Sequence, residues 1–275
     1  MKNSPAFTDE SAFSPASILT RNNVRVFGSG SRTMIFAHGL GCDQHMWRHI
    51  TPAFEADYRI VLFDHVGSGH SDLTAYDPTK HASLEGYATD LLEICAALEI
   101  SDAIFVGHSV SAMIGVLAEL REPWRFHRMI HIGPSPRYID DEGYRGGFSR
   151  GEIEEMLEFL DSNYFGWVAA MTPAIMANGE RPELAEELGN SFCRTDPEIA
   201  RRFARVTFLS DNRRDLARVS TPSLVLQCRA DIVAPLAVGE YLRTHLPECR
   251  LVIMEATGHC PHLSAPDETI GAMQA

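Results

Sequence analysis

The sequence predicts an α/β protein built on a mostly parallel sheet with helices on both of its faces. Short apolar runs alternate with longer segments of helical periodicity, which is the order of strands and helices in a parallel sheet. The apolar runs are nearly continuous, as expected for strands that are buried on both faces. The alternation is interrupted once, by about 80 residues that carry only helix signals.

Six segments have the composition of such strands, and turn residues bound each of them. They are residues 33–37, 59–63, 103–107, 129–132, 223–228 and 251–254. Two helices are predicted among them. Residues 84–98 place apolar side chains at helical spacing between the second and third runs, and residues 110–120 follow the third run directly.

The interruption, residues 134–213, is predicted to consist of helices joined by helix breakers. An insertion between parallel strands tends to lie over their carboxyl ends, so we expect this one to lie near a ligand site. The predicted helices are residues 151–167, an apolar stretch around Pro173, residues 181–193 opened by Pro182, and residues 196–209 with Asp196 as N-cap and Pro197 at the first helical position.

The length of 275 residues fits one core with this single insertion. Removing the insertion and a tail of about 20 residues leaves roughly 175 residues, which is within the range of one domain. The predicted organisation is a flexible tail over residues 1–20, a core over residues 21–133 and 214–275, and an inserted helical segment over residues 134–213.

Charge and composition exclude several classes of function. The net charge is −13 without a basic cluster, so we expect no nucleic-acid partner. No apolar stretch reaches 18 residues and the first twenty residues lack the apolar centre of a secretory signal, so we expect no membrane association. The six cysteines stand singly, as free thiols in a reducing compartment do. We therefore expect a cytoplasmic protein.

The strongest local signal is a serine between a strand and a helix. Gly107-His108-Ser109-Val110-Ser111 follows the apolar run 103–107 and precedes a helical pattern, which is the context of a nucleophile elbow. Such a turn exposes a serine hydroxyl at its tip. Ser111 stands where the usual pattern has a second glycine, and it is still a small residue.

A serine nucleophile needs a base and a group that orients the base. Asp231 and His259 follow the last two predicted strands, so all three side chains belong to the carboxyl ends of strands in the order serine, acid, histidine. We predict that Ser109, Asp231 and His259 are catalytic. His262 is an alternative base, although only His259 directly follows the Gly258 turn.

An oxyanion hole is also required, because negative charge develops on the attacked carbonyl oxygen. The backbone N–H of Val110, which follows the serine, is one predicted donor. The second is the backbone N–H of Leu40, in the His38-Gly39-Leu40-Gly41 turn after the first predicted strand.

No metal or cofactor is expected. His45 and His49 are spaced four residues apart near Cys42 and His38, but no glutamate completes an H-E-x-x-H motif. The glycines around Gly67 lack the third glycine of a dinucleotide fingerprint. Aromatic and methionine side chains of the inserted segment are either packing residues or the wall of a pocket: Phe148, Tyr164, Trp167, Met171 and Phe208.

Several longer motifs together carry a resemblance to a known family. The motifs FDHVGSGHSD, GHSVSAMIG, GPSPRYIDDEGYRGGF, FLSD and EATGHCPHLSAPDE resemble the RsbQ group of α/β-hydrolases, bacterial stress-response regulators related to the plant karrikin and strigolactone receptors. The similarity extends from about Arg21 to Ile270. It implies an α/β-hydrolase fold in which residues 134–213 form a four-helix, V-shaped lid over a small apolar pocket.

The resemblance also has implications for the site and for function. It implies Ser109, Asp231 and His259 as the triad and Leu40 and Val110 as the oxyanion donors. Phe148 and Phe208 match pocket-lining aromatics, and we add Trp167 to the predicted pocket.

The expected function is hydrolysis of a small apolar ester or lactone through an acyl-Ser109 intermediate, without a cofactor. The alternative is a ligand-responsive regulator with slow or vestigial hydrolysis, which activates a partner such as a PAS-domain phosphatase. Dehalogenase and epoxide hydrolase relatives of the fold use an aspartate nucleophile, so Ser109 disfavours those activities.

Overall fold

The computed structural model describes residues 14–275 and contains a seven-stranded, mostly parallel sheet. The strand order is β1-β3-β2-β4-β5-β6-β7, and β1 is antiparallel to β3 while the other neighbouring pairs are parallel. The strands are β1 (Arg25–Phe27), β2 (Arg32–Ala37), β3 (Tyr58–Leu62), β4 (Ala103–His108), β5 (Phe126–Ile132), β6 (Ser223–Ala230) and β7 (Cys249–Thr257).

The fold class predicted from the sequence is confirmed, and the six predicted apolar runs form β2 to β7. The short edge strand β1 was not predicted. It is only three residues long, which is shorter than the apolar runs of four to six residues by which the other strands were recognised.

Ten helices in residues 14–275 surround the sheet. They are α1 (Pro15–Arg21), α2 (Leu84–Ala97), α3 (Val110–Arg121), α4 (Arg150–Ser162), α5 (Tyr164–Met176), α6 (Pro182–Arg194), α7 (Pro197–Phe208), α8 (Leu236–His245), α9 (Pro261–Ser264) and α10 (Pro266–Gln274). Short 3₁₀ turns are Gln44–Trp47, Thr51–Ala53, Leu73–Ala75, Lys80–Ala82, Pro123–Arg125 and Leu216–Arg218.

Alternate residues of the strands supply two cores, one on each face of the sheet. On β2, Met34 and Phe36 join a cluster that includes side chains of the inserted helices α4 to α7. Ile35 and Ala37 point the other way and join side chains of α2, α3 and α8. Successive side chains of a strand point to opposite faces, and both faces are covered here. The predicted runs are therefore apolar at nearly every position.

The insertion contains four helices, α4 to α7, between β5 and β6. The prediction of one helix over residues 151–167 is wrong, because α4 ends at Ser162 and a separate helix, α5, begins after Asn163. The Asn163 side chain accepts a hydrogen bond from the Gly166 N–H at 2.9 Å and caps α5. Residues 164–167 thus belong to α5, where Asn163 acts as a helix start rather than as a helix interior residue.

The flexible tail predicted over residues 1–20 needs a correction at its end. Residues 15–20 lie in α1, which is capped by Ser14 and whose Ile18 side chain is buried. The remainder of the predicted tail, residues 1–13, lies outside the described residues. Among the helices of residues 14–275, none combines the length and the apolarity that a membrane span requires.

Candidate active site

The candidate site begins at a strained turn where β4 meets α3. Ser109 has φ 56° and ψ −124°, a backbone conformation that non-glycine residues rarely adopt. Its N–H donates to the Ile132 carbonyl at 2.9 Å, which ties the turn to β5. Gly107 permits the close approach of α3, since a Cβ there would lie 2.8 Å from the Ser111 carbonyl oxygen. This strand–turn–helix geometry is the one that a nucleophile elbow, as predicted from the sequence, requires.

The structure brings the three predicted catalytic side chains into hydrogen-bond contact. His259 Nε2 lies 2.8 Å from Ser109 Oγ, and His259 Nδ1 lies 2.7 Å from Asp231 Oδ2. All three side chains are buried. They follow β4, β6 and β7, whose carboxyl ends lie at one edge of the parallel sheet.

Asp231 is held in place by backbone donors. Its Oδ1 accepts the N–H groups of Val233 at 2.8 Å and Ala234 at 3.1 Å, which leaves Oδ2 for His259. A carboxylate fixed in this way can orient the imidazole so that Nε2 faces the serine.

The inserted helix α5 contacts the loop that carries His259. The His259 N–H donates to the Ile175 carbonyl at 2.8 Å. Gly258 has φ +82°, and a Cβ on it would lie 2.0 Å from the Met176 carbonyl oxygen, so a side chain here would push α5 away. The turn before His259 therefore needs glycine for both its conformation and its packing.

The alternative base, His262, does not reach Ser109. Its ring packs against Trp47 and His108, with centroid distances of 4.9 and 4.4 Å. Neither ring nitrogen has a hydrogen-bond partner within residues 14–275, and burial lowers the pKa of His262 to about 3. His262 thus lies behind the site as an uncharged packing residue.

The two predicted oxyanion donors lie beside Ser109. Val110 is the first residue of α3, and Leu40 lines the cavity above the serine. In the described chain neither backbone N–H donates to another protein group. Gly39 packs closely against the elbow, since a Cβ on it would lie 3.2 Å from Ser109 Cβ.

A cavity opens over Ser109 between the sheet edge and the insertion. Two predicted pocket residues, Trp167 and Phe208, line it. Phe148 does not line it. That side chain is half-buried against the core, and its backbone pairs with Tyr138 and Asp140. The cavity wall also contains residues that were not predicted: Cys42, Tyr138, Ile175, Leu188, Phe192, Thr207, Val233 and Cys260.

Four buried polar atoms of residues on this wall have no hydrogen-bond partner in the described part of the chain. They are Tyr138 Oη, Trp167 Nε1, Thr207 Oγ1 and His108 Nδ1. Burial raises the pKa of Tyr138 well above its usual value, so the phenol keeps its proton. Tyr138 follows β5 at the same sheet edge as the other site residues, which is a signal that sequence reasoning could have used.

Histidine and cysteine side chains gather at one place where a metal ion could be held. His108, Cys260 and His262 are buried, and their ligand atoms lie within 4.8 Å of one another. His108 Nε2 already contacts the His259 carbonyl oxygen at 2.9 Å. The candidate metal site considered from the sequence, His45 and His49 near Cys42, does not form such a cluster. His45 and His49 are exposed, whereas Cys42 is buried.

Comparison with known proteins agrees with this geometry. The sequence matches the model of the alpha/beta hydrolase family over residues 34–272. It is 40% identical to a strigolactone esterase of Arabidopsis thaliana, covering 90% of this chain and 93% of the relative. It is 37% identical to a karrikin insensitive 2 receptor of Petunia hybrida, covering 90% of each chain. The predicted resemblance to karrikin and strigolactone receptors is thereby confirmed.

A solved structure of a hydrolase from Oleispira antarctica superimposes with a TM-score of 0.93. It is 38% identical to this sequence, and the match covers 95% of this chain and 96% of that chain. The agreement extends over the sheet and the inserted helices together, since nearly the whole chain is matched.

Proposed function

The chain belongs to the alpha/beta hydrolase family, and on that premise we propose that it is a serine hydrolase acting on a small apolar ester or lactone. The observation that carries this proposal is the hydrogen-bonded series Ser109–His259–Asp231 at the carboxyl ends of three strands. A serine placed on a strained turn, with a histidine at 2.8 Å, is the arrangement that activates a hydroxyl for attack on a carbonyl.

Acylation begins when Ser109 Oγ attacks the substrate carbonyl carbon. His259 Nε2 takes the hydroxyl proton, and Asp231 stabilises the imidazolium that forms. The carbonyl oxygen becomes an anion that the Leu40 and Val110 N–H groups receive. The bond to the alcohol then breaks, His259 returns the proton to the departing oxygen, and an acyl-Ser109 ester remains.

Deacylation repeats these steps with water. His259 removes a proton from a water molecule, whose oxygen attacks the acyl carbon. The bond to Ser109 Oγ breaks, the serine recovers its proton from His259, and the carboxylic acid leaves. For a lactone, the alcohol and the acid are ends of one product molecule.

The lining of the cavity fits a small, mostly apolar substrate that carries an additional oxygen acceptor. Its wall is formed largely by aromatic and aliphatic side chains. Tyr138, Trp167 and Thr207 each present a donor without a protein partner. A buried donor left unpaired is costly, so a ligand that offers an acceptor to one of them binds better than an all-carbon analogue. Esters and lactones provide such oxygens.

The direct test is steady-state hydrolysis of p-nitrophenyl acetate. We expect Ser109→Ala to lower kcat by at least about 10³-fold and Asp231→Asn by roughly 10³–10⁴-fold, because the first removes the nucleophile and the second misorients His259. Ser162→Ala, at the end of α4 and outside the cavity, is the matched serine control and should keep full activity. Activity in Ser109→Ala equal to that of the control would contradict the proposal.

The second candidate function is a ligand-responsive regulator. Its support is that a similar protein is a receptor by name, and that α5 contacts the His259 loop, so events at the site can reach the insertion. An RsbQ-type role with a PAS-domain phosphatase as partner is the form this candidate takes. It predicts a kcat well below the roughly 1–10³ s⁻¹ typical of enzymes on every ester tried, whereas the hydrolase proposal predicts a kcat within that range on an ester that fits the cavity.

A further inference from the structure

The hydroxyl of Ser111 lies in a buried hydrogen-bond network outside the Ser109–His259–Asp231 series. Ser111 is fully buried in the first turn of α3. Its Oγ lies 2.5 Å from the His38 carbonyl oxygen and 2.7 Å from His65 Nε2. A carbonyl oxygen only accepts, so the single hydroxyl hydrogen goes to His38. His65 Nε2 must then carry a hydrogen and donate to Ser111.

His65 is suited to this role because it is an uncharged imidazole. Burial, together with the neighbouring His38, holds the pKa of His65 well below its usual value. Its Nε2 also lies 3.2 Å from the His38 carbonyl oxygen, and its backbone N–H donates to His38 Nε2 at 3.1 Å. Ser111 and His65 therefore clamp both the backbone and the ring of His38.

The clamp continues to the peptide that contains the Leu40 N–H. Because His38 Nε2 is an acceptor, its Nδ1 carries the ring hydrogen and donates to the Gly39 carbonyl at 2.9 Å. In a planar trans peptide the Gly39 C=O and the Leu40 N–H point in opposite directions. Fixing the Gly39 carbonyl toward His38 therefore fixes the Leu40 N–H away from it.

We propose that Ser111 is a positioning residue, whose hydroxyl holds His38 and Gly39 so that the Leu40 N–H faces the developing oxyanion. This inference rests on the proposed serine hydrolase function and names a device that sets its oxyanion hole. It gives a physical reason for a serine where the elbow pattern otherwise has glycine. The elbow and the loop after β2 become one unit through this hydroxyl.

The expected consequence of removing the hydroxyl is a loss in kcat with little change in KM. In Ser111→Ala the His38 carbonyl keeps only the longer contact to His65, so the loop is held less firmly. Loss of one oxyanion donor lowers kcat by about 10²–10³-fold, and a donor that is only misaligned should cost less, so we expect about a 10- to 100-fold fall. Ser111→Cys, which retains a weak donor of similar size, should recover part of the loss.

The experiment measures three quantities for the wild type, Ser111→Ala and Ser111→Cys: kcat and KM for p-nitrophenyl acetate, the inhibition constant of phenylboronic acid, and Tm. A tetrahedral boronate places an oxygen in the oxyanion hole, so its inhibition constant should rise in proportion to the fall in kcat/KM. Ser71→Ala is the matched control, because the Ser71 hydroxyl is also buried with two backbone hydrogen bonds, but these are to Gly67 and Ser68 rather than to His38 or His65.

The measured outcomes distinguish a positioning role of Ser111 from a purely structural one. A fall in kcat with KM within about threefold, accompanied by weaker boronate inhibition, supports the proposal. A lowered Tm with unchanged kcat and boronate affinity, as expected for Ser71→Ala, overturns it in favour of a purely structural role. If Ser111→Ala does not fold, the comparison of Ser111→Cys with the wild type decides in the same way. Absence of wild-type turnover contradicts both this inference and the proposed function, whereas normal wild-type turnover with unchanged variants contradicts this inference alone.

Discussion

Individual residues of the site combine backbone strain with close hydrogen bonding. Ser109 is held at φ 56°, a conformation that costs a non-glycine residue about 1–3 kcal/mol. Its N–H bond to Ile132 and the Ala112 N–H bond to its carbonyl keep it there. This strain aims the hydroxyl at His259 rather than stabilising the fold. The proposed mechanism thus accounts for a feature that packing alone leaves unexplained.

Tyr138 is the residue that we expect to distinguish oxygenated substrates from purely hydrocarbon ones. Tyr138→Phe removes a cavity-wall donor that faces the Ser109 side chain, and any effect on Ser109 itself is common to both esters, so it cancels in their ratio. We expect kcat/KM for p-nitrophenyl methoxyacetate to fall about two- to tenfold relative to p-nitrophenyl butyrate, as for the loss of one hydrogen bond. The measurement is the ratio of kcat/KM for these two esters.

Tyr144→Phe provides the matched control for this prediction. Its hydroxyl donates to the Arg137 carbonyl at 2.6 Å and it does not line the cavity. The ester ratio should be unchanged in that variant. An unchanged ratio in Tyr138→Phe as well would show that this phenol does not contact the acyl group.

At the scale of elements, the apolar strands and the strand-associated site residues could be predicted from the sequence. Strands β2 to β6 are largely buried on both faces, and the half-buried edge strand β7 is still apolar over residues 251–254, so composition alone indicates all six. Ser109, Asp231 and His259 could be predicted because each follows such a strand, and parallel strands end at one edge. The same logic would have included Tyr138, which follows β5.

Other features could not be predicted because they depend on tertiary contacts. The amphipathic pattern of residues 151–167 continues across Asn163. Only the hydrogen bond from the Gly166 N–H to the Asn163 side chain shows that a new helix begins there. Phe148 lies outside the cavity because residues 138–148 form a loop closed by backbone bonds, which no composition signal reveals. The clamp of His38 by Ser111 joins residues 73 positions apart.

At the scale of the whole molecule, buried histidines make stability depend on pH. His131 is buried in β5 with both ring nitrogens unpaired in the described residues, and burial lowers its pKa to about 4. In the unfolded chain a histidine has a pKa of about 6.5. Below pH 6.5 the unfolded state therefore binds a proton that the folded state does not bind until about pH 4. The free energy of unfolding must fall as the pH is lowered through this range.

His131→Leu should remove this contribution, since leucine is apolar and similar in size. We expect the free energy of unfolding of the wild type to fall between pH 6 and pH 5 by about 1 kcal/mol more than that of His131→Leu. Urea unfolding at pH 7, 6 and 5 measures the difference. No such difference is expected at and above pH 7, where both states are uncharged at this position.

His127→Gln is the control on the same strand. His127 is exposed, so its removal should leave the wild-type loss of stability between pH 6 and pH 5 largely in place. Equal pH dependence in the wild type and His131→Leu would contradict the assignment of this loss to His131.

Covalent labelling can establish whether Ser109 is a nucleophile activated by His259. The wild type, Ser109→Ala and His259→Ala are treated with a fluorophosphonate, and intact mass and peptide fragmentation locate the adduct. We expect one adduct on Ser109 of the wild type, much slower labelling of His259→Ala, and no adduct on Ser109→Ala. An unlabelled wild type, or an adduct on another residue such as Ser111, would contradict this expectation.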